Sequence, residues 1–173
     1  MKIMKITVLL MAFFASSTFA QITKFEKVDT STAIQTNDLV NAYYGIKDAL
    51  VATDGKKTST EAKNFLVKLE AIDQNKMTAE QKSFFKPLNE KMSSDAKHMS
   101  NSQDASEQRE KFEGFSNNVL AFVKAFGSSE DVFVQYCPMA KKSWLSNVKA
   151  VKNPYYGSKM LTCGKVTETI SKK

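Results

Sequence analysis

Few residues in this 173-residue chain are suited to covalent or metal chemistry. The chain has two cysteines, one histidine, one tryptophan, six glycines and three prolines. A single histidine, His98, excludes a metal site built from several imidazoles, and the four-ligand spacing of structural zinc sites is absent. The glycines form neither a phosphate-binding loop nor a dinucleotide signature, and no nucleophile-elbow motif accompanies His98. We therefore predict a protein that is not an enzyme.

Long apolar runs are also scarce. Two early lysines, an apolar run over residues 6–15 and small residues up to Ala20 are typical of a secretory signal peptide. The apolar run is too short to span a bilayer as a stable helix, and no later segment is long and apolar enough to do so. We predict a signal peptide over residues 1–20 and a mature protein that is periplasmic or secreted, with no transmembrane segment.

The basic residues lack any clustering. Lysine and arginine together number 25 against 18 acidic residues, which gives a formal net charge of +7, but Arg109 is the single arginine and the lysines are scattered. Nucleic-acid binding favours a clustered basic stripe. We therefore predict that the positive charge keeps the surface solvated and that the protein has no nucleic-acid partner.

Four segments of the chain have the apolar periodicity of amphipathic helices. Residues 21–35, which precede them, are polar and aperiodic and are predicted to be a flexible leader. Four such helices joined by short loops bury their apolar faces most economically in an up-down antiparallel bundle. We predict a mainly α domain over residues 36–173, in which a four-helix bundle is followed by an irregular cap over residues 131–173.

Capping and breaking residues set the expected helix boundaries. The first helix is predicted to begin at residues 36–38 and to end at Gly55, which suits a left-handed cap. Capping boxes at Thr58 and Thr78 are predicted to open the second and third helices, and Pro87 to kink or split the third. The fourth helix has the cleanest apolar stripe, which is predicted to be core and consists of Phe112, Phe115, Val119, Phe122 and Phe126.

The composition changes to β-branched and aromatic residues after residue 131. Residues 132–136 and 165–170 have the composition of strands. Turn signals at Asn153–Pro154 and Gly157 lie between them. The cap is therefore predicted to contain a short β-hairpin.

Both cysteines lie in the cap, each close to a methionine. Cys137 is followed by Met139, and Met160 precedes Cys163. Thiolate and thioether ligands suit a soft ion such as Cu(I), and folding of the cap back on itself would bring the two pairs together. We predict these four residues as metal ligands. His98 is a candidate accessory ligand, and its alternative role is that of a partly exposed helical histidine.

A disulfide between Cys137 and Cys163 is the alternative to a metal site. Two cysteines in an exported protein usually pair. The bridge would close a loop of about 27 residues and contribute about 3 kcal/mol in the chain-entropy model. The domain would then be a structural or protein-interaction module without a metal. Both alternatives hold if the thiols cycle between reduced and oxidised forms.

The order of motifs in this region resembles that of a known family. The motifs are Gln108–Phe112 and Phe115–Ser116 in the fourth helix, and Tyr136–Ala140, Trp144–Ser146, Asn153–Gly157 and Met160–Gly164 in the cap. Over about residues 36–170 the chain resembles a bacterial family of exported domains of unknown function, whose members also occur fused to periplasmic adaptor subunits of copper and silver efflux pumps. The resemblance implies Cu(I) or Ag(I) as the bound ion and a periplasmic adaptor of a metal efflux pump as the partner.

Overall fold

The computed structural model describes residues 24–173, which form four α-helices followed by a three-stranded sheet. The helices and strands are α1 (Thr30–Val51), α2 (Gly55–Glu70), α3 (Ala79–Asn101), α4 (Ala105–Phe126), β1 (Val132–Cys137), β2 (Lys142–Ser146) and β3 (Lys165–Ile170). The predicted mainly α fold with a four-helix bundle and a C-terminal β cap is confirmed. Within residues 24–173, no helix has the length and apolar character needed to cross a membrane. The predicted signal peptide lies outside the described residues.

The bundle core is built on the predicted aromatic stripe of α4. All five stripe residues are buried. Tyr43 of α1 stacks on Phe112 and Phe115 with ring centroids 5.6 and 5.7 Å apart, and Phe65 of α2 meets Phe115 edge to face at 4.7 Å. Burial of each such ring contributes about 1.5–3 kcal/mol. The stripe therefore joins three helices into one core.

The first helix begins at Thr30 rather than at residues 36–38. Asp29 caps it by accepting a hydrogen bond from the Ser31 backbone amide at 2.9 Å. Just before the cap, Phe25 is buried and its ring lies 5.1 Å from that of Phe126. The expected leader was therefore wrong over residues 30–35. The first turns of α1 bury Thr32 and, one turn later, Thr36, and apolar periodicity does not register these polar residues.

The second helix also begins earlier than predicted, at Gly55 instead of after Thr58. Asp54 is the N-cap and accepts from the Lys57 amide at 2.8 Å, so Thr58 lies inside the helix. Gly55 does not end α1. A β-carbon at Gly55 would lie 1.9 Å from the Gln103 carbonyl oxygen, so glycine is needed there for a close approach of two chain segments.

The third helix has the predicted beginning but lacks the predicted break. Thr78 and Gln81 form both hydrogen bonds of a capping box. Pro87 lies inside α3, which continues unbroken to Asn101. Pro87 is exposed, so water can reach the carbonyl one turn earlier that loses its helical partner. The expectation that Pro87 splits the helix was wrong, and the alternative of a kink stays a prediction.

The cap contains three strands rather than one hairpin. The strand order is β2-β1-β3, and both pairings are antiparallel. The predicted strands correspond to β1 and β3, while the hairpin itself joins β1 to β2, which the sequence analysis missed. The short β2 begins with polar residues but buries Trp144 and Leu145, and it packs on α4.

Candidate functional site

The register of the sheet brings the two cysteines together. Cys137 ends β1, and Tyr136 pairs with Lys165 at the beginning of β3. Because the strands are antiparallel, the residues just after β1 lie beside those just before β3. The sulfur atoms of Cys137 and Cys163 lie 2.6 Å apart. The structure thus brings together the two residues on which both the metal and the disulfide predictions depend.

The two sulfurs differ in their access to solvent. Cys137 is 0% exposed, whereas Cys163 is half-buried. The Cys137 sulfur also accepts a hydrogen bond from the Ala140 backbone amide at 3.4 Å, inside the turn between β1 and β2. One sulfur is therefore enclosed by the fold, and the other is open to molecules in solution.

Hydrogen bonds shift the pKa values of the two cysteines in opposite directions. Burial alone raises the pKa of the Cys137 thiol, but hydrogen bonds from the Cys163 thiol and the Ala140 amide outweigh it. Weaker bonds from Met139 and Asn153 act in the same direction, so the pKa of Cys137 lies below its usual value. The hydrogen bond to Cys137 raises the pKa of Cys163, and burial adds to that increase. The first proton therefore leaves Cys137, and the Cys163 thiol stabilises the thiolate.

Asn153 shapes the turn that positions Cys163. Its side chain is buried, and its Oδ1 accepts from the backbone amides of Tyr155 at 2.8 Å and Tyr156 at 3.3 Å. Its Nδ2 donates to the Cys163 carbonyl at 3.0 Å. The predicted Asn-Pro turn is thus also the support of the second cysteine.

Arg109 fastens this turn to the bundle. Its Nε donates to the Pro154 carbonyl at 2.7 Å, and its Nη2 donates to the Leu50 carbonyl at 2.8 Å and to the Thr53 hydroxyl at 2.9 Å. Burial lowers the pKa of Arg109, but a guanidinium remains charged in proteins. One side chain from α4 therefore connects the turn to the end of α1.

A buried hydrogen bond joins Trp144 and Gln135 within the cap. The Trp144 Nε1 donates to the Gln135 Oε1 at 2.8 Å, and both side chains are buried. Gly164, next to Cys163, has a φ of +145°, and a β-carbon there would lie 2.9 Å from the Trp144 ring. The backbone after Cys163 therefore passes close against the indole.

The two predicted methionine ligands flank the pair along the chain. The Met139 amide acts to lower the pKa of both cysteines, and the Met139 side chain is 66% exposed. That side chain lines an open cleft of about 410 Å³ together with Arg109 and Lys159. Met160 is half-buried, and its carbonyl accepts from the Cys163 amide at 3.1 Å. The methionine ligand roles remain predictions.

His98 lies on α3, where it is exposed and close to Asp95. Among residues 24–173, no group of three or more histidine, cysteine or acidic side chains is arranged to hold a metal ion. The structure therefore does not bring His98 to the two cysteines.

The sequence patterns did not single out the residues that support the pair. Asn153 was recognised as a turn former and Arg109 as the exception among the lysines, and both lie in motifs of the family resemblance, but no supporting role was predicted for either. Their contacts join segments that are far apart in the chain; for example, Arg109 and Pro154 are separated by 45 positions. The available signals were that Arg109 is the one arginine, that Asn153 begins a turn, and that each lies in one of the family motifs.

No curated protein and no solved structure matches this chain. A family model described as "Protein of unknown function (DUF3347)" matches residues 39–131. The match begins inside α1, includes the other three helices and ends before β1, so the cysteine motifs lie beyond it. The expected membership in a family of unknown function is confirmed over the bundle. The chain belongs to the DUF3347 family of proteins of unknown function.

Proposed function

We propose that this protein binds one soft monovalent ion, Cu(I) or Ag(I), through Cys137 and Cys163. The observation that carries the proposal is the contact between their sulfurs, 2.6 Å apart although the residues are 26 positions apart in the chain. Soft thiolates bind Cu(I) in preference to hard cations. The exposure of Cys163 gives an ion a path to the pair.

Binding would separate the sulfurs slightly. Metal–thiolate bonds are about 2.3 Å long in zinc sites, so two sulfurs that share an ion lie farther apart than the present pair, by about 1 Å or more. Cys163 is the sulfur free to move, because Cys137 is enclosed. We propose Met139 as a third ligand, because it follows Cys137 by two residues and its side chain is exposed.

We assign this binding to an accessory role outside the cytoplasm. The signal-peptide pattern supports export. The likeness of the cap motifs to domains fused to periplasmic adaptors supports an adaptor of a metal efflux pump as the partner. The protein would hold the ion and pass it on without chemical change.

Titration of the reduced protein with Cu(I) in the absence of oxygen, against a coloured Cu(I) chelator, tests the proposal. We expect one ion per chain and loss of that binding in both Cys137→Ser and Cys163→Ser. The His98→Ala variant is the matched control and should bind like the wild type. Absence of uptake by the folded, fully reduced wild type would overturn the proposal.

A second candidate is a structural or protein-interaction module closed by a permanent disulfide. It is favoured by the same short sulfur–sulfur distance, which is too small for an ion to lie between the sulfurs without movement. Thiol counting on the folded protein separates the candidates. A bridge that survives mild reductant, together with no Cu(I) uptake, supports the module.

A further inference from the structure

We infer that the pair also exchanges disulfides with an external molecule, with Cys163 as the sulfur that reacts first and Cys137 as the sulfur that completes the reaction. This activity goes beyond metal binding and does not depend on it. It also differs from a permanent disulfide, because the bond would form and break with the fold intact.

Unequal exposure decides which sulfur reacts first. Thiol–disulfide exchange requires one sulfur to approach the external disulfide directly. Cys137 is 0% exposed and cannot make that approach in the folded state. Cys163 is half-buried, and its preceding neighbours Leu161 and Thr162 are exposed. An external disulfide therefore meets Cys163.

The second step needs no rearrangement of the fold. The Cys137 sulfur already contacts the Cys163 sulfur, so its attack is intramolecular and has a high effective concentration. The turn after Cys137 is closed by the bond from the Lys141 amide to the Cys137 carbonyl at 2.8 Å. On the other side, Asn153 fixes the backbone of Cys163. Both cysteines are thus positioned for ring closure.

The reaction balances as two displacements. The Cys163 thiol passes its proton to the Cys137 sulfur that it hydrogen-bonds, and the resulting Cys163 thiolate attacks one sulfur of the external disulfide, whose S–S bond breaks and releases one thiolate. The released thiolate then takes the proton from Cys137. The Cys137 thiolate then attacks Cys163 in the resulting mixed disulfide and displaces the second thiolate. The pair loses two protons and two electrons, and the external disulfide becomes two thiols. The reverse steps, driven by an external thiol, reduce the pair again.

Exchange would also control the proposed metal site. The oxidised pair has no thiolate left to bind an ion, because both sulfurs are used in the S–S bond. Where the metal proposal also holds, oxidation releases the ion and reduction restores the site.

Reaction of the reduced protein with oxidised glutathione, followed by acid quenching and intact mass measurement, tests the inference. Cys137→Ser should accumulate one glutathionyl group on Cys163, because the completing sulfur is absent. Cys163→Ser should react at least about tenfold more slowly, since Cys137 is enclosed. The wild type should lose two hydrogens and carry little adduct. A wild type that keeps both thiols, or variants that react equally fast, would overturn the inference.

A measurement on the wild type covers the case in which Cys137→Ser unfolds the cap. Brief alkylation of the reduced protein with iodoacetamide, followed by peptide mapping, should label Cys163 first. In guanidinium chloride both cysteines should react at similar rates, which confirms that both were reduced. Preferential labelling of Cys137 in the folded protein would contradict the assignment. Cu(I) titration of the same sample tests the metal proposal separately.

Discussion

The bundle and the cap of this protein are stabilised in different ways. The bundle packs aromatic and aliphatic side chains around the α4 stripe, and many contacts share the stabilisation. The cap adds buried apolar side chains such as Trp144 and Leu145 to the same core. Its turns, however, depend on a few buried polar side chains, Gln135, Asn153 and the partly buried Arg109, which hydrogen-bond backbone carbonyls and amides. Such bonds are directional, and their loss leaves a buried polar group without a partner. We therefore expect the cap, with its cysteine pair, to fail first when single polar residues change.

The largest effect is expected from Phe115→Ala in the bundle. This substitution removes a fully buried ring that contacts both Tyr43 and Phe65, and we expect a loss of about 3–5 kcal/mol in the free energy of unfolding. Because the cap packs on α4, both regions should unfold together in a denaturant titration followed by circular dichroism. Val67→Ala, at a side chain that is 62% exposed, is the control and should change stability by less than about 0.5 kcal/mol. A small effect at Phe115 would contradict the shared core.

Asn153→Ala should break the cap while leaving the helices formed. It removes the bonds to the Tyr155 amide and the Cys163 carbonyl, and we expect a loss of about 2–4 kcal/mol. Alkylation of Cys137 should become much faster, while helical circular dichroism stays close to that of the wild type.

The half-buried Asn118 offers a matched control for this change, because its side-chain amide donates to the Gly114 carbonyl on the same helix. Asn118→Ala should leave the alkylation rate of Cys137 unchanged. Protection of Cys137 that persists in Asn153→Ala would show that the turn does not support the pair.

Arg109→Lys should loosen the attachment of the cap to the bundle. Lysine keeps the charge but cannot donate in the fixed geometry with which the guanidinium reaches Pro154, Leu50 and Thr53. We expect a loss of about 1–2 kcal/mol and faster amide exchange around the turn. Hydrogen exchange followed by mass spectrometry measures the amide exchange rate around the turn, and Lys63→Arg on the exposed surface of α2 is the control. Equal amide exchange rates in the two variants would show that Arg109 does not anchor the turn to the bundle.

The smallest effect is expected from Met139→Leu. We expect Cu(I) affinity to fall up to about tenfold, or about 1.4 kcal/mol, with no change in the unfolding transition. His98 is exposed on the bundle, so His98→Ala should change neither the Cu(I) affinity nor the unfolding transition. Competition with a Cu(I) chelator on the reduced protein measures the affinity. A greater loss of Cu(I) affinity in His98→Ala than in Met139→Leu would show that the third ligand is His98 on α3 and not Met139 in the cap.

Local patterns predicted much of the bundle and little of the cap. The α4 stripe, the Thr78 capping box and the strands β1 and β3 were found, because each signal lies within a few neighbouring residues. The beginning of α2 was misassigned because Asp54 and Thr58 are both good caps, and local chemistry does not rank them. The beginning of α1 was missed because its first turns bury Thr32 and Thr36, polar residues that apolar periodicity does not register.

The sequence by itself determined that four amphipathic helices precede a β-rich tail and that this tail contains both cysteines, because periodicity and capping are local properties of the chain. Only the tertiary structure decided that β1 pairs on both sides, that the sulfurs of Cys137 and Cys163 meet, and that His98 does not join them. Those facts depend on strand register and on bonds from Asn153 and Arg109 to distant segments. Pairing between residues far apart in the chain results from the packing of the whole domain, and no short stretch of sequence encodes it.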